Sequence, residues 1–178
     1  MGEGNWRAGA RIIGEGIDAL IHGPRPTPQE LSTLSSRLGY ASQALAGAEF
    51  VSSYTSRPGA LLRLQRVRRY LGEIIRGVDG LTTTADIAAV LAAVNELQRI
   101  GPVRNNPTAA AGAFGRLFSG LGRLSSHLPP PLNSYSDFLS ESGSFFTNML
   151  ESLDPAQRYR NRADGEGGAV DLSRPYRP

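Results

Sequence analysis

Residues 109–128 read AAAGAFGRLFSGLGRLSSHL, a helical pattern laced with glycine. Phe114, Leu117, Phe118, Leu121, Leu124 and Leu128 recur at spacings of three and four, the period of one helix face. Gly112, Gly115, Gly120 and Gly122 work against that helix, each costing about 1 kcal/mol relative to alanine. Sorted by face, Ala111, Gly115, Ser119 and Gly122 form a strip of small residues, and Arg116 and Arg123 stand one heptad apart. A small-residue strip lets a second backbone approach closely, in a soluble bundle or in a membrane. The stretch therefore reads either as a tightly packed core helix or as a membrane-active segment with a Phe/Leu face.

The flanking sequence keeps the helical period. Upstream, Ile87, Val90, Leu91, Val94 and Leu97 share one face, introduced by a weak capping box at Thr83-x-x-Asp86 and stopped by Gly101-Pro102. Before it, Leu64, Val67, Leu71, Ile74 and Val78 stripe a helix over Pro58 to Gly77. Thr27-Pro28-Gln29-Glu30 is a strong helix start: an N-cap, a proline at the first position and a capping-box glutamate. The seam Leu31, Leu34, Leu38, Ala41, Leu45 and Ala48 follows, with an expected end near Tyr54 and a break at Arg57-Pro58. The first helix is expected over Trp6 to His22, with Trp6, Ala10, Ile13, Ile17, Leu20 and Ile21 on one face and Gly23-Pro24 as its stop. Downstream, Tyr135, Phe138, Leu139, Phe145, Phe146, Met149 and Leu150 mark a helix over Ser134 to Leu153. No segment shows strand alternation. The expectation is an all-α single bundle of five to six amphipathic helices: a helical domain over residues 1–162 and a flexible Gly/Pro-rich tail over 163–178.

Composition narrows the chemistry. The chain has 178 residues and a net charge of +3, and all 19 basic residues are arginine. GC-rich coding explains that bias; so does selection against lysine modification. Either way, no lysine serves as Schiff-base nucleophile or phosphate-loop ligand. The absence of cysteine removes thiolate catalysis, disulfides and zinc–thiolate sites. No secretory signal peptide and no transmembrane helix are expected.

His22 and His127 both sit at expected helix ends, where a histidine complements the helix dipole. Asp137 and Glu141 lie in the first turns of the last helix, which dipole reasons alone explain. No metal-ligand spacing, nucleophile elbow or phosphate loop is present. Catalytic, metal and cofactor sites are accordingly expected to be none, with no small-molecule substrate. The strongest charge feature is RLQRVRRYLGEIIR, where Arg63, Arg66, Arg68, Arg69 and Arg76 face one acid, Glu73. Such a face grips phosphates of nucleic acid or lipid headgroups, or is simply a solvated face paired with neighbouring acids. Tyr70 is its one interleaved aromatic.

Three patches carry a resemblance. The chain opens Met1-Gly2, continues with Gly80-Leu81-Thr82-Thr83-Thr84-Ala85-Asp86-Ile87-Ala88-Ala89, and later reads Ala169-Val170-Asp171-Leu172-Ser173-Arg174-Pro175. In that order they resemble segments of polyomavirus minor capsid proteins. The resemblance implies a protein inside a virion, bound to a major capsid protein and perturbing membranes during entry, with the virion or host cytosol as its location. Two departures stand beside it. Trp6 replaces the Ser or Thr that the family's myristoylation signal prefers, which argues against acylation of Gly2. The chain ends Pro175-Tyr176-Arg177-Pro178 where the family carries a basic, lysine-rich tail. The sequence thus points to a non-enzymatic helical interaction protein with a protein partner, a capsid protein or a neighbouring subunit, and with a membrane surface or nucleic acid as further candidates. A small bacterial secreted effector or toxin, or its adaptor, is the competing class, and an arginine-based nucleic-acid-binding module the third.

Overall fold

The computed structural model describes residues 25–154. The Trp6–His22 helix, the 163–178 tail, Gly2, His22 and the Ala169–Pro175 patch lie outside the described residues. Among those described the chain is all-α, with no strand. The helices are α1 (Pro28–Ala48), the single turn α2 (Ser52–Thr55), α3 (Ala60–Gly77), α4 (Ile87–Ile100), α5 (Pro107–Ser125) and α6 (Ser136–Leu153). Short 3₁₀ turns at Val78–Gly80, Val103–Asn105 and Leu132–Tyr135 help to join them.

The N-terminus of α1 is built as its sequence predicts. The Glu30 amide donates to Thr27 Oγ1 at 3.1 Å, and the Thr27 amide donates to Glu30 Oε1 at 3.3 Å, with Pro28 opening the helix. Leu34, Leu38, Ala41, Leu45 and Ala48 are fully buried against α3 and α4. The helix does not run on to Tyr54. It stops at Ala48, Val51 takes an extended conformation, and α2 restarts. This kink throws Phe50 into solvent and turns Tyr54 into the core, where its hydroxyl donates to the Pro107 carbonyl.

The capping box expected at Thr83 is not formed. Thr83 Oγ1 accepts from the Ala85 amide at 3.1 Å, a local turn, and Asp86 precedes α4 with φ of 69° and no side-chain cap. Asp86 Oδ1 instead lies 3.1 Å from Arg123 Nε, and its Oδ2 lies 3.4 Å from His127 Nε2. These partners sit at the C-terminal end of α5 and just beyond it, so a tertiary pairing has replaced a local cap.

α5 is the central helix. Within it Arg116 and Arg123 are exposed, whereas Phe114, Leu117, Phe118, Leu121 and Leu124 are fully buried. A helix enclosed on nearly all sides needs apolar or small residues all round, which accounts for its composition. Asn106 caps it by accepting from the Ala109 amide at 3.3 Å. Its largest contact is with α6, and the next is with α4. Phe146 of α6 meets Phe118 at 5.3 Å, Tyr54 at 5.5 Å and Phe114 at 5.8 Å between ring centroids, all near edge-to-face.

Candidate functional site

α6 touches its neighbours through two unlike faces. Toward α5 it presents Ser136, Ser140, Gly143 and Thr147, a small-residue strip that answers the one on α5. A Cβ added at Gly115 would lie 2.7 Å from Thr147 Oγ1 and 3.2 Å from the Gly143 carbonyl. One at Gly143 would lie 2.9 Å from both the Gly115 carbonyl and the Ser119 amide nitrogen. One at Gly122 would lie 3.0 Å from the Ser136 carbonyl, and Ser136 Oγ donates to the Gly122 carbonyl at 2.6 Å. The helices meet nearly backbone to backbone. Ala111, the first strip residue, is buried too. Gly112 joins the strip, 3.2 Å from Leu150 at its would-be Cβ, whereas Gly120 faces the other way, onto Val90 of α4.

Toward α3, α6 presents a ledge of aromatic rings, and the predicted basic patch lies on it. Arg63 carries its guanidinium over Phe138 at 5.0 Å and Phe145 at 5.1 Å, and donates to Ser142 Oγ at 2.9 Å. Ser142 is fully buried and passes a hydrogen bond on to the Phe138 carbonyl at 2.7 Å. Arg66 lies over Phe138 at 4.6 Å, and its Nε donates to Tyr70 OH at 2.8 Å. Arg69 lies 5.3 Å from the centre of the Tyr70 ring, which stacks on Tyr135 at 3.9 Å. Arg68 turns away, pairing with Glu49 at 3.1 Å. A hydrogen bond to the Glu73 carboxylate, then burial, raises the Tyr135 phenol above its ordinary pKa.

The four predicted arginines therefore share a helix but not a role: three roof an aromatic layer and one closes an ion pair. Sequence reasoning found the charges and missed their seats, because Phe138, Ser142 and Phe145 are some seventy-five residues away in the chain. It also missed the apolar neighbour of that face. Leu62 is 73% exposed, one and two helical turns before Arg66 and Arg69, and Leu61 is 39% exposed. The two leucines form a small exposed apolar area near the start of α3.

Asp137 and Glu141 are exposed on α6, as helix-start acids, and are not drawn into a shared site. Among the described residues no three histidine or carboxylate side chains converge as a metal site would require. Among them, too, no helix is long and apolar enough to cross a membrane. No protein-family model, curated protein or solved structure matches the chain.

Proposed function

We propose that the chain is a non-enzymatic helical interaction protein whose working surface is the outer face of α3. Leu62, Arg66, Arg69 and Arg76 follow one another there at helical spacing, and the observation that carries the reading is the exposed leucine beside cations held by rings. Arginines seated on aromatics are pre-positioned, so little side-chain entropy is lost when a carboxylate meets them. The exposed leucines supply the apolar anchor that a specific interface needs at its centre. This combination fits an acidic, partly apolar segment of a protein partner.

Two settings suit such a module. The resemblance to polyomavirus minor capsid proteins supports a capsid-associated structural protein, with the major capsid protein as partner. The lysine-free composition supports a small secreted effector or its adaptor. Membrane action has a narrower footing, since the small-residue strip of α5 already has α6 seated on it.

A photo-crosslinker at Gln65, exposed one helical turn beyond Leu61 and Leu62 on α3, should capture a discrete partner in the cell that makes the protein. Leu62→Glu with Arg76→Glu should abolish the capture and leave the unfolding midpoint nearly unchanged, both residues being exposed and outside the aromatic layer. Capture of a capsid subunit favours the first setting, and capture of a host protein the second. Retention on nucleic acid that falls steeply with salt and is lost in Arg69→Gln/Arg76→Gln would replace this reading with phosphate binding. Dye release from anionic vesicles by the folded protein would replace it with membrane action.

A further inference from the structure

The segment that joins α5 to α6 is laid along the end of α3 and the turn that follows it. Its side chains step back along that path in reverse order. Pro129 packs on Gly80, where an added Cβ would stand 3.1 Å from Pro129 Cδ. Leu132 fills the space that a side chain on Gly77 would need. Tyr135 then lies flat on Tyr70, with ring centres 3.9 Å apart and planes within 5° of parallel. Phe138 meets the Tyr70 ring edge-on at 5.6 Å. The pair is thus clamped between a docked turn and the aromatic layer of α6. Among the described residues it is the one contact between two tyrosine rings; Tyr54 meets Phe114 and Phe146 instead.

We infer that Tyr70 and Tyr135 form an oxidative cross-linking site, at which a peroxidase with hydrogen peroxide joins α3 to the Leu132–Tyr135 turn as a dityrosine. Coupling is favoured because neither ring has to diffuse to the other; a small slide and tilt brings one ortho carbon of each together. The chain has no cysteine, so no thiol of its own quenches the radicals. Arg66 Nε donates to Tyr70 OH at 2.8 Å, and a phenoxyl oxygen still accepts that bond. The site stands independently of the recognition proposed for the outer face of α3.

Exposure sets the order of events. Tyr135 is half-buried, whereas Tyr70 is only 8% exposed, so the oxidant meets Tyr135 first. Tyr135 gives an electron to the oxidant and its phenolic proton to the Glu73 carboxylate that it faces. Tyr70 then passes an electron across the stack, Glu73 returns the proton to Tyr135, and the Tyr70 proton leaves to water. A second oxidation at Tyr135, its proton again going to Glu73, places a radical on each ring. The two ortho carbons join, and the hydrogen on each of them shifts to its own oxygen, restoring both phenols. The pair has lost two electrons and two protons, which reduce one hydrogen peroxide to two waters. The new bond pins the start of α6 to α3.

Full-length protein treated with a haem peroxidase and limiting hydrogen peroxide should gain dityrosine fluorescence while staying monomer-sized in denaturing electrophoresis. Cleavage after arginine should then release Tyr70–Arg76 joined to Leu124–Arg158, with one hydrogen missing from each. This joined pair should be the main cross-link found by mass spectrometry. Tyr135→Phe keeps a ring on the stack without its phenol. It should lower the dityrosine fluorescence several-fold and retain the helix content of the parent. Peroxide consumed without the joined pair overturns the inference, whether oxidation ends at other tyrosines, at Trp6 or in covalent dimers. Dityrosine fluorescence that Tyr135→Phe leaves undiminished overturns it equally.

Discussion

α6 is held from two sides by opposite means. Against α5 it offers Ser136, Ser140, Gly143 and Thr147, and the two backbones close to van der Waals contact. Against α3 it offers Phe138, Ser142 and Phe145, and arginines lie across the rings. The first seam spends its small side chains on proximity, with Ser140 and Thr147 of α6 keeping an exposed edge. The second holds large groups at the surface, so charge and apolar area stay available to a partner. One helix thus separates a close-packed seam from one that keeps large side chains at the surface, and it is to the second that the proposed recognition belongs.

The largest effect should come from the scaffold side. Phe146 is fully buried among Tyr54, Phe114, Phe118 and Phe145. Phe146→Ala should lower unfolding free energy by about 3–5 kcal/mol, measured by denaturant titration. A loss below about 1 kcal/mol would mean that the aromatic cluster is not the joint between α5 and α6.

The surface seam should answer more mildly. Arg63→Gln removes the guanidinium from Phe138 and Phe145 and its hydrogen bond to Ser142. The expected cost is about 1–2 kcal/mol. The same change at Arg76, which is exposed on the same helix, should fall within about 0.5 kcal/mol of wild type. Equal costs at the two positions would show that Arg63 is merely a solvated charge.

Alkaline pH separates the two sides again. The chain has six tyrosines and no lysine, so tyrosines dominate side-chain titration from about pH 9 to 12. Burial in the core pushes the Tyr54 phenol well above its ordinary value. The folded protein then keeps a proton that the unfolded chain releases near pH 10. Stability from this group is fully present below about pH 10 and declines above it, by at most about 1.4 kcal/mol per pH unit for one proton. Tyr54→Phe should flatten that decline in a series of unfolding curves from pH 9 to 11.5. An unchanged slope would place the alkaline sensitivity at another group, Tyr135 first, whose phenol is also raised.

Much of this fold was legible in the residues. The period of three and four located every long helix among the described residues, and Thr27-Pro28-Gln29-Glu30 marked a helix start to the residue. What escaped depends on contacts distant in sequence. Asp86 looks like a capping acid until Arg123 and His127 draw it into a left-handed conformation. The leucine seam of α1 gives no hint that the helix ends at Ala48, because the kink is set by where Tyr54 must go. The small strip on α5 was visible, but its partner was not. Ser136, Ser140 and Thr147 look like solvent-facing residues, and Ser140 and Thr147 do keep an exposed edge, so their pattern gives no sign that a glycine helix lies against them. The basic patch was legible as charge and opaque as geometry, since its aromatic seats belong to another helix.

The central claim is that glycine in α5 is a contact requirement, and one matched pair of variants tests it most directly. A Cβ at Gly72 of α3 meets nothing within 4 Å, whereas one at Gly115 of α5 meets Thr147 Oγ1 at 2.7 Å. Thr147 cannot swing aside without losing its 3.0 Å hydrogen bond to the Gly143 carbonyl. Denaturant midpoints measured side by side should move in opposite directions. Gly72→Ala should gain about 0.5–1 kcal/mol from helix propensity alone. Gly115→Ala should lose about 1–2 kcal/mol, because overpacking at the seam outweighs the same propensity gain. If Gly115→Ala stabilises the protein as Gly72→Ala does, α5 and α6 are not in close contact and the account fails.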